Sequence, residues 1–166
     1  MPAAKVVGEG GRVIGIDNDH EALARLEGRA AAAGLRNVTL AHGDAEETIP
    51  CEACADVVFF GICLHDFRDA GQVLANARRM VKPEGILIDL DWKAEPMELG
   101  PPLRIRFPEE KAAGMIRGAG FSIESIRTCG PYHYLLTARP AGSSAASPEE
   151  PAKRPEPRDL WDIKPR

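Results

Sequence analysis

The feature that most restricts this chain is a regular exchange of two hydrophobic periods along its first 140 residues. Short apolar, β-branched runs at 12–17, 37–41, 55–60 and 85–91 read as buried strands. Between them lie segments in which apolar residues recur every three or four positions. Asp19 opens the first, with Leu23, Leu26 and Ala30 on one face and Gly34 as its stop. Asp69 opens the second, through Val73, Leu74, Ala77 and Met80, with 82–85 ending it. Pro108, Glu109 and Glu110 open the third, through Ala112, Met115 and Ile116 to Gly118 and Gly120. Residues 121–126 and 132–138 close the pattern as an antiparallel pair joined across 128–131. Strand and helix in alternation predict an α/β fold, a mostly parallel sheet covered on both faces with an antiparallel hairpin at one edge.

The sequence has 166 residues. Residues 1–140 suffice for one domain, and hydrophobic residues, 44% of the total, suffice for its core. The net charge of -4 argues against a nucleic-acid binder. No apolar run approaches the roughly 20 residues of a membrane span. No charged start with an apolar segment behind it is visible, so the expected location is cytoplasmic. From 141 the periodicity stops, and six of the last 27 residues are proline. Residues 141–166 are expected to be a disordered tail, in which Leu160, Trp161, Asp162 and Ile163 form a candidate docking motif. Cys51 and Cys54 make a single CxxC, which with Cys63 and His65 falls short of a zinc ligand set, so all four cysteines are expected as free thiols and no metal is expected.

In open parallel sheets, ligands sit beyond the carboxyl ends of the strands. Three of the four runs are closed by acids: Asp17, Asp44 and Asp91. A carboxylate there can accept both hydrogen bonds of a ribose diol, and a second can accept from an exocyclic amine. The third run ends in Gly61, Ile62, Cys63, Leu64, His65 and Asp66.

The run 13–17 ending in Asp17, then Gly43-Asp44-Ala45, then 56–58 with Leu64-His65-Asp66, then 81–87 resemble in order and spacing the motifs of class I S-adenosylmethionine-dependent methyltransferases. They are most similar to the type 11, UbiE-like small-molecule group, over about residues 5–139. The resemblance implies a Rossmann-like sheet whose last strand is antiparallel, and S-adenosyl-L-methionine as cofactor. It implies that Asp17 holds the ribose hydroxyls, Asp44 the adenine amine and Ala45 the adenine flank, with Gly61 to Leu64, Cys63 included, under the methionine part. His65 and Asp66 are the candidate catalytic bases for a small-molecule acceptor, against the alternative of a packed loop histidine. Tyr132, His133 and Tyr134 are candidate walls of the acceptor pocket, at least one of them core. Arg104 and Arg106 are candidate partners for an acidic acceptor or a solvated stripe.

The departure is at the start. Counting about 20 residues back from Asp17, where such sites begin their glycine-rich turn, passes Met1. The family's first, central strand and its loop are not in this sequence, and 1–8 resembles the end of the helix that follows them. Unsatisfied buried backbone groups cost about 1–3 kcal/mol each, against a net stability of about 5–15 kcal/mol. Three outcomes are open: the neighbouring strands close together, a partner chain lends a strand, or the chain is marginal and its cofactor affinity falls towards millimolar. The protein partners expected are a second copy in a homodimer or a protein held by the tail. The rival to methyl transfer is a non-catalytic binding or assembly module. A nicotinamide dehydrogenase leaves Gly43-Asp44-Ala45 without a role, and a nucleic-acid methyltransferase lacks its basic stripe.

Overall fold

The structure, a computed structural model, describes residues 2–142. The expected tail beyond 142 and its docking motif lie outside the described residues.

The order is α1 (Pro2–Val7), β1 (Val13–Asp17), α2 (His20–Ala32), β2 (Val38–His42), β3 (Ala55–Gly61), α3 (Ala70–Met80), β4 (Val81–Trp92), α4 (Glu109–Gly118), β5 (Phe121–Cys129) and β6 (His133–Pro140). The helices begin where capping chemistry places them. Asp19 Oδ1 accepts from the amides of Glu21 and Ala22 at 2.8 and 3.0 Å, and Asp69 Oδ1 accepts from Gln72 N at 2.9 Å. Gly34, at φ +65, takes the left-handed position that ends α2.

The strands form two ladders. β1 pairs in parallel with β2, setting Asp17 opposite His42. The second sheet has the order β3-β4-β6-β5, with β3 parallel to β4 and β6 antiparallel to both of its neighbours. The mostly parallel α/β sheet with an antiparallel hairpin is thus present, with β6 lying inside the hairpin's edge strand β5. Among the described residues no ladder joins β1 to β3. Val57 and Phe59 of β3 are 51% and 57% exposed, so the expectation of cover on both faces fails there. The main core lies on the other face, where Phe60, Leu87, Leu136 and Ala138 meet Val73, Leu74 and Ala77 of α3 and Ala112, Ala113 and Ile116 of α4.

Two readings are corrected. Residues 82–85 do not end α3 as a turn; β4 already begins at Val81, opposite Ala55, and pairing resumes only at Val57↔Ile86. Pro83 is tolerated because its missing N–H falls where neither neighbouring ladder needs a donor. The cysteines are not all free: Cys51 and Cys54 form a disulfide with Cα atoms 6.0 Å apart, while Cys63 and Cys129 are free. The turn brings them together because Ala53 adopts φ +44 and the amides of Ala53 and Cys54 bond to the carbonyls of Arg79 and Met80 at 2.8 and 2.9 Å.

Candidate functional site

A cavity of about 650 Å³ opens at the carboxyl ends of β1, β2 and β3. β1 contributes Asp17, the turn after β2 contributes Gly43, Asp44 and Ala45, and β3 and the turn after it contribute Gly61, Cys63 and Asp66. Asp17, Asp44, Ala45, Gly61, Cys63 and Asp66, all expected from the sequence, are therefore in one lining drawn from both sheets. Ile62, Leu64 and His65 are not in it.

Asp17 and Asp44 are each half committed. Asp17 Oδ1 accepts from Asp19 N and Asp44 Oδ1 from Glu46 N, both at 2.9 Å. The second oxygen of each makes no hydrogen bond among the described residues. The Asp44 turn is held from below by Asn76 of α3, 2% exposed, whose Nδ2 donates to the carbonyls of Ala45 and Glu46 at 2.8 and 2.9 Å. Glu46 in turn accepts from Asp69 N at 2.9 Å and Arg68 at 2.7 Å, and these donors, the amide first, hold its carboxyl below the usual range. A Cβ at Gly43 would run into the Thr48 hydroxyl, so any larger residue there would force the Thr48 side chain to turn.

At the end of β3 the backbone is strained. Ile62 has φ +61, a conformation a β-branched residue rarely adopts, and its amide is held by Leu90 O at 2.7 Å. The turn places the half-buried Cys63 in the lining, and desolvation pushes its thiol up to about 11. A thiol so shifted is a poor nucleophile at neutral pH.

The single turn Leu64–Asp66 follows. The His65 side chain is 3% exposed and lies between two carboxylates, Asp91 Oδ1 at 2.7 Å from Nδ1 and Asp66 Oδ1 at 3.2 Å from Nε2. It is packed, as one of the two alternatives from the sequence had it, and each ring nitrogen lies within reach of a carboxylate oxygen. Asp91, 1% exposed at the end of β4, also accepts from His65 N at 3.3 Å and Trp92 N at 2.7 Å. One pleat earlier, Asp89 is wholly buried and neither of its oxygens closes a hydrogen bond. Burial first, and the charge of Asp91 second, push its carboxyl up to about 7; the nearby Tyr134 hydroxyl opposes this. Tyr134 is the core member of its triplet, its own hydroxyl pushed up chiefly by burial. Tyr132 is exposed, and His133 packs tilted against Trp92 with ring centres 4.3 Å apart.

Arg106 is neither an acceptor partner nor a solvated stripe. It is buried and donates to the carbonyls of Pro101, Glu95 and Leu99 at 2.7, 3.0 and 2.8 Å, with a longer bond to Lys93 O, fixing the connection after β4. The sequence reading missed Asn76, Asp89 and the pairing of Asp91 with His65. One signal was present for two of them: Leu87, Asp89 and Asp91 alternate at period two, so one strand face carries both the apolar residue and the acids.

Residues 1–101 match a family model described as "Methyltransferase domain". A demethylmenaquinone methyltransferase of Bacillus mycoides (strain KBAB4) is 36% identical over 97 residues, covering 58% of this chain and 40% of that relative. The chain thus spans about two fifths of the length of the curated relatives it matches. Among solved structures, a SAM dependent methyltransferase from Aquifex aeolicus superposes with a TM-score of 0.78 at 25% identity, covering 81% of this chain and 72% of that one. The [4+2]-cyclase SpnF shares the fold, with a TM-score of 0.73 at 19% identity, over 86% of this chain and 71% of that one.

Proposed function

The chain belongs to the methyltransferase-domain family, and on that premise we propose that its acid-lined cavity binds S-adenosylmethionine and serves methyl transfer to a small-molecule acceptor. The observation that carries this reading is the convergence of Asp17 and Asp44, each with one uncommitted oxygen, on a single cavity. The donor set suits the group: an adenosyl moiety offers a ribose diol and an amine as donors, and the sulfonium is positive, so carboxylates complement both. Asp17 would hold the ribose hydroxyls, Asp44 the adenine amine, Ala45 the adenine flank, and Gly61 and Cys63 the methionine part. When bound, the cofactor supplies a methyl group already activated by its sulfonium.

The chain's own residues then have three tasks. Asn76 and Glu46 hold the Asp44 and Asp69 turns in place. The strained Ile62 turn brings Cys63 and Asp66 to the lining. Asp66, in the lining, with His65 behind it, would serve as the base if the acceptor must lose a proton. The demethylmenaquinone methyltransferase of Bacillus mycoides points to a demethylated quinone as the acceptor class to try first. The cyclase shows why that choice is tested and not assumed, since one fold carries different chemistries.

The experiment is transfer of radiolabelled methyl from S-adenosylmethionine to reduced demethylmenaquinone, extracted into organic solvent. Label in the extract that depends on the protein and is lost in Asp17→Ala supports the reading. Saturable cofactor binding without transfer to any hydroxylated or enolic acceptor returns the chain to a binding module.

A further inference from the structure

His65 is confined in a way that simple packing does not require. Each ring nitrogen faces a carboxylate oxygen, at 2.7 Å and 3.2 Å. A neutral imidazole carries one N–H and one lone pair, so it satisfies only one of the two. Asp91 claims the first: one carboxyl group accepts from the ring, from His65 N and from Trp92 N, which fixes it against Nδ1. With Nδ1–H fixed on Asp91, the Nε2 lone pair confronts the Asp66 carboxylate. That pairing is repulsive until a proton arrives between them. Around the two carboxylates, Cys63 on the same turn feels Asp66, Asp89 and Asp91, and Asp89 on β4 feels Asp91. Asp89 and Asp91 act on Tyr134, and Asp91 acts on His133. Access is divided unequally. The His65 side chain is 3% exposed, whereas Asp66 is 62% exposed and lines the cavity.

We propose that Asp66, His65 and Asp91 form a proton relay in which Asp66 is the catalytic base that meets the acceptor, His65 Nε2 stores the proton, and Asp91 is the positioning residue that fixes the ring. The inference rests on the methyl-transfer reading for its use. The acceptor's X–H bond breaks and its proton passes to an Asp66 oxygen and on to His65 Nε2. The electron pair left on X forms the bond to the methyl carbon as the carbon–sulfur bond breaks, with that pair staying on sulfur. The product is a neutral sulfide, and the imidazolium later returns its proton through Asp66 to water. The acceptor class is therefore one whose attacking atom carries an acidic hydrogen, such as a phenol, an enol or a hydroquinone; a tertiary amine has no use for the relay.

The relay is read without turnover, by nitrogen-15 and proton NMR of the His65 ring in the full chain. Wild-type protein is expected to keep Nδ1–H at every pH, and Asp91→Asn to move the neutral ring to the Nε2–H tautomer. In the isosteric Asp66→Asn, exchange with water of the Nε2 proton, followed at acid pH where the ring is doubly protonated, is expected to slow at least tenfold, because the sealed ring loses its carrier. A purely structural histidine would not respond in this way. An Nε2–H tautomer in wild type, or exchange unchanged in Asp66→Asn, overturns the relay, and both are measured even if Asp91→Asn does not fold. Calorimetry with S-adenosylhomocysteine is the separate test of the reading beneath. Absent binding removes methyl transfer, while the exchange result still decides the relay.

Discussion

Asn76 Nδ2 lies 2.8 Å from the main-chain carbonyl of Ala45, so a helix in the core directly holds the turn that carries Asp44. The same nitrogen donates to Glu46 O at 2.9 Å. Asn76→Ala leaves two carbonyls short of a donor, at about 1–3 kcal/mol for each buried group left unmade. The expected loss in urea unfolding is about 2–4 kcal/mol, with weaker binding of S-adenosylhomocysteine. Unchanged stability would mean that the turn is held by other contacts.

Asp89 ties stability to pH. Its folded-state pKa is raised, chiefly by burial, to about 7 from the ordinary value of 3.8. Between those values the folded chain keeps a proton that the unfolded chain has lost. Its contribution is therefore fully present below the lower value and lost as pH rises through about 7. Asp89→Asn removes this fall, whose slope is at most about 1.4 kcal/mol per pH unit for one group. Urea midpoints of both proteins across pH 4–9 check it, and parallel profiles would show that Asp89 titrates normally.

The disulfide gives a count. Denatured protein without reductant should show two reactive thiols, Cys63 and Cys129, and four after reduction. Closing so short a loop stabilises by about 2 kcal/mol in the chain-entropy account, so reduction should lower the urea midpoint accordingly. Four thiols before reduction would mean that Cys51 and Cys54 are not joined.

Arg106 closes the connection after β4 through its planar fork, which lysine cannot reproduce. Arg106→Lys should leave the core intact and speed tryptic cleavage after Lys93 and Arg104 several-fold. Cleavage at the wild-type rate would show that the connection is held by other contacts.

Local chemistry was the legible part of this chain. Asp69 followed by Val73, Leu74 and Ala77 announces a capped helix with one buried face, and the structure has it. Gly43-Asp44-Ala45 and Asp17 could be placed at strand ends because turn chemistry and period two are written in neighbouring residues. Pro83 and Gly85 misled, because a break in pairing and a turn use the same residue types; only the register of Val81 with Ala55 separates them. The His65–Asp91 contact spans 26 positions and two strands. It depends on β3 and β4 being parallel neighbours in one register, which no local pattern encodes. Among the described residues no ladder joins β1 to β3, and this the resemblance did anticipate, as the place of a central strand; the exposed Val57 and Phe59 lie on the strand beside it.

The most direct test is calorimetric titration of the intact chain with S-adenosylhomocysteine, beside Asp17→Ala and Asp44→Ala. The account predicts saturable one-to-one binding, weakened roughly tenfold or more by each substitution, as for charge-assisted hydrogen bonds worth about 1.5–3 kcal/mol. No heat of binding, or an affinity that neither substitution alters, would contradict the assignment of this cavity to an adenosyl group.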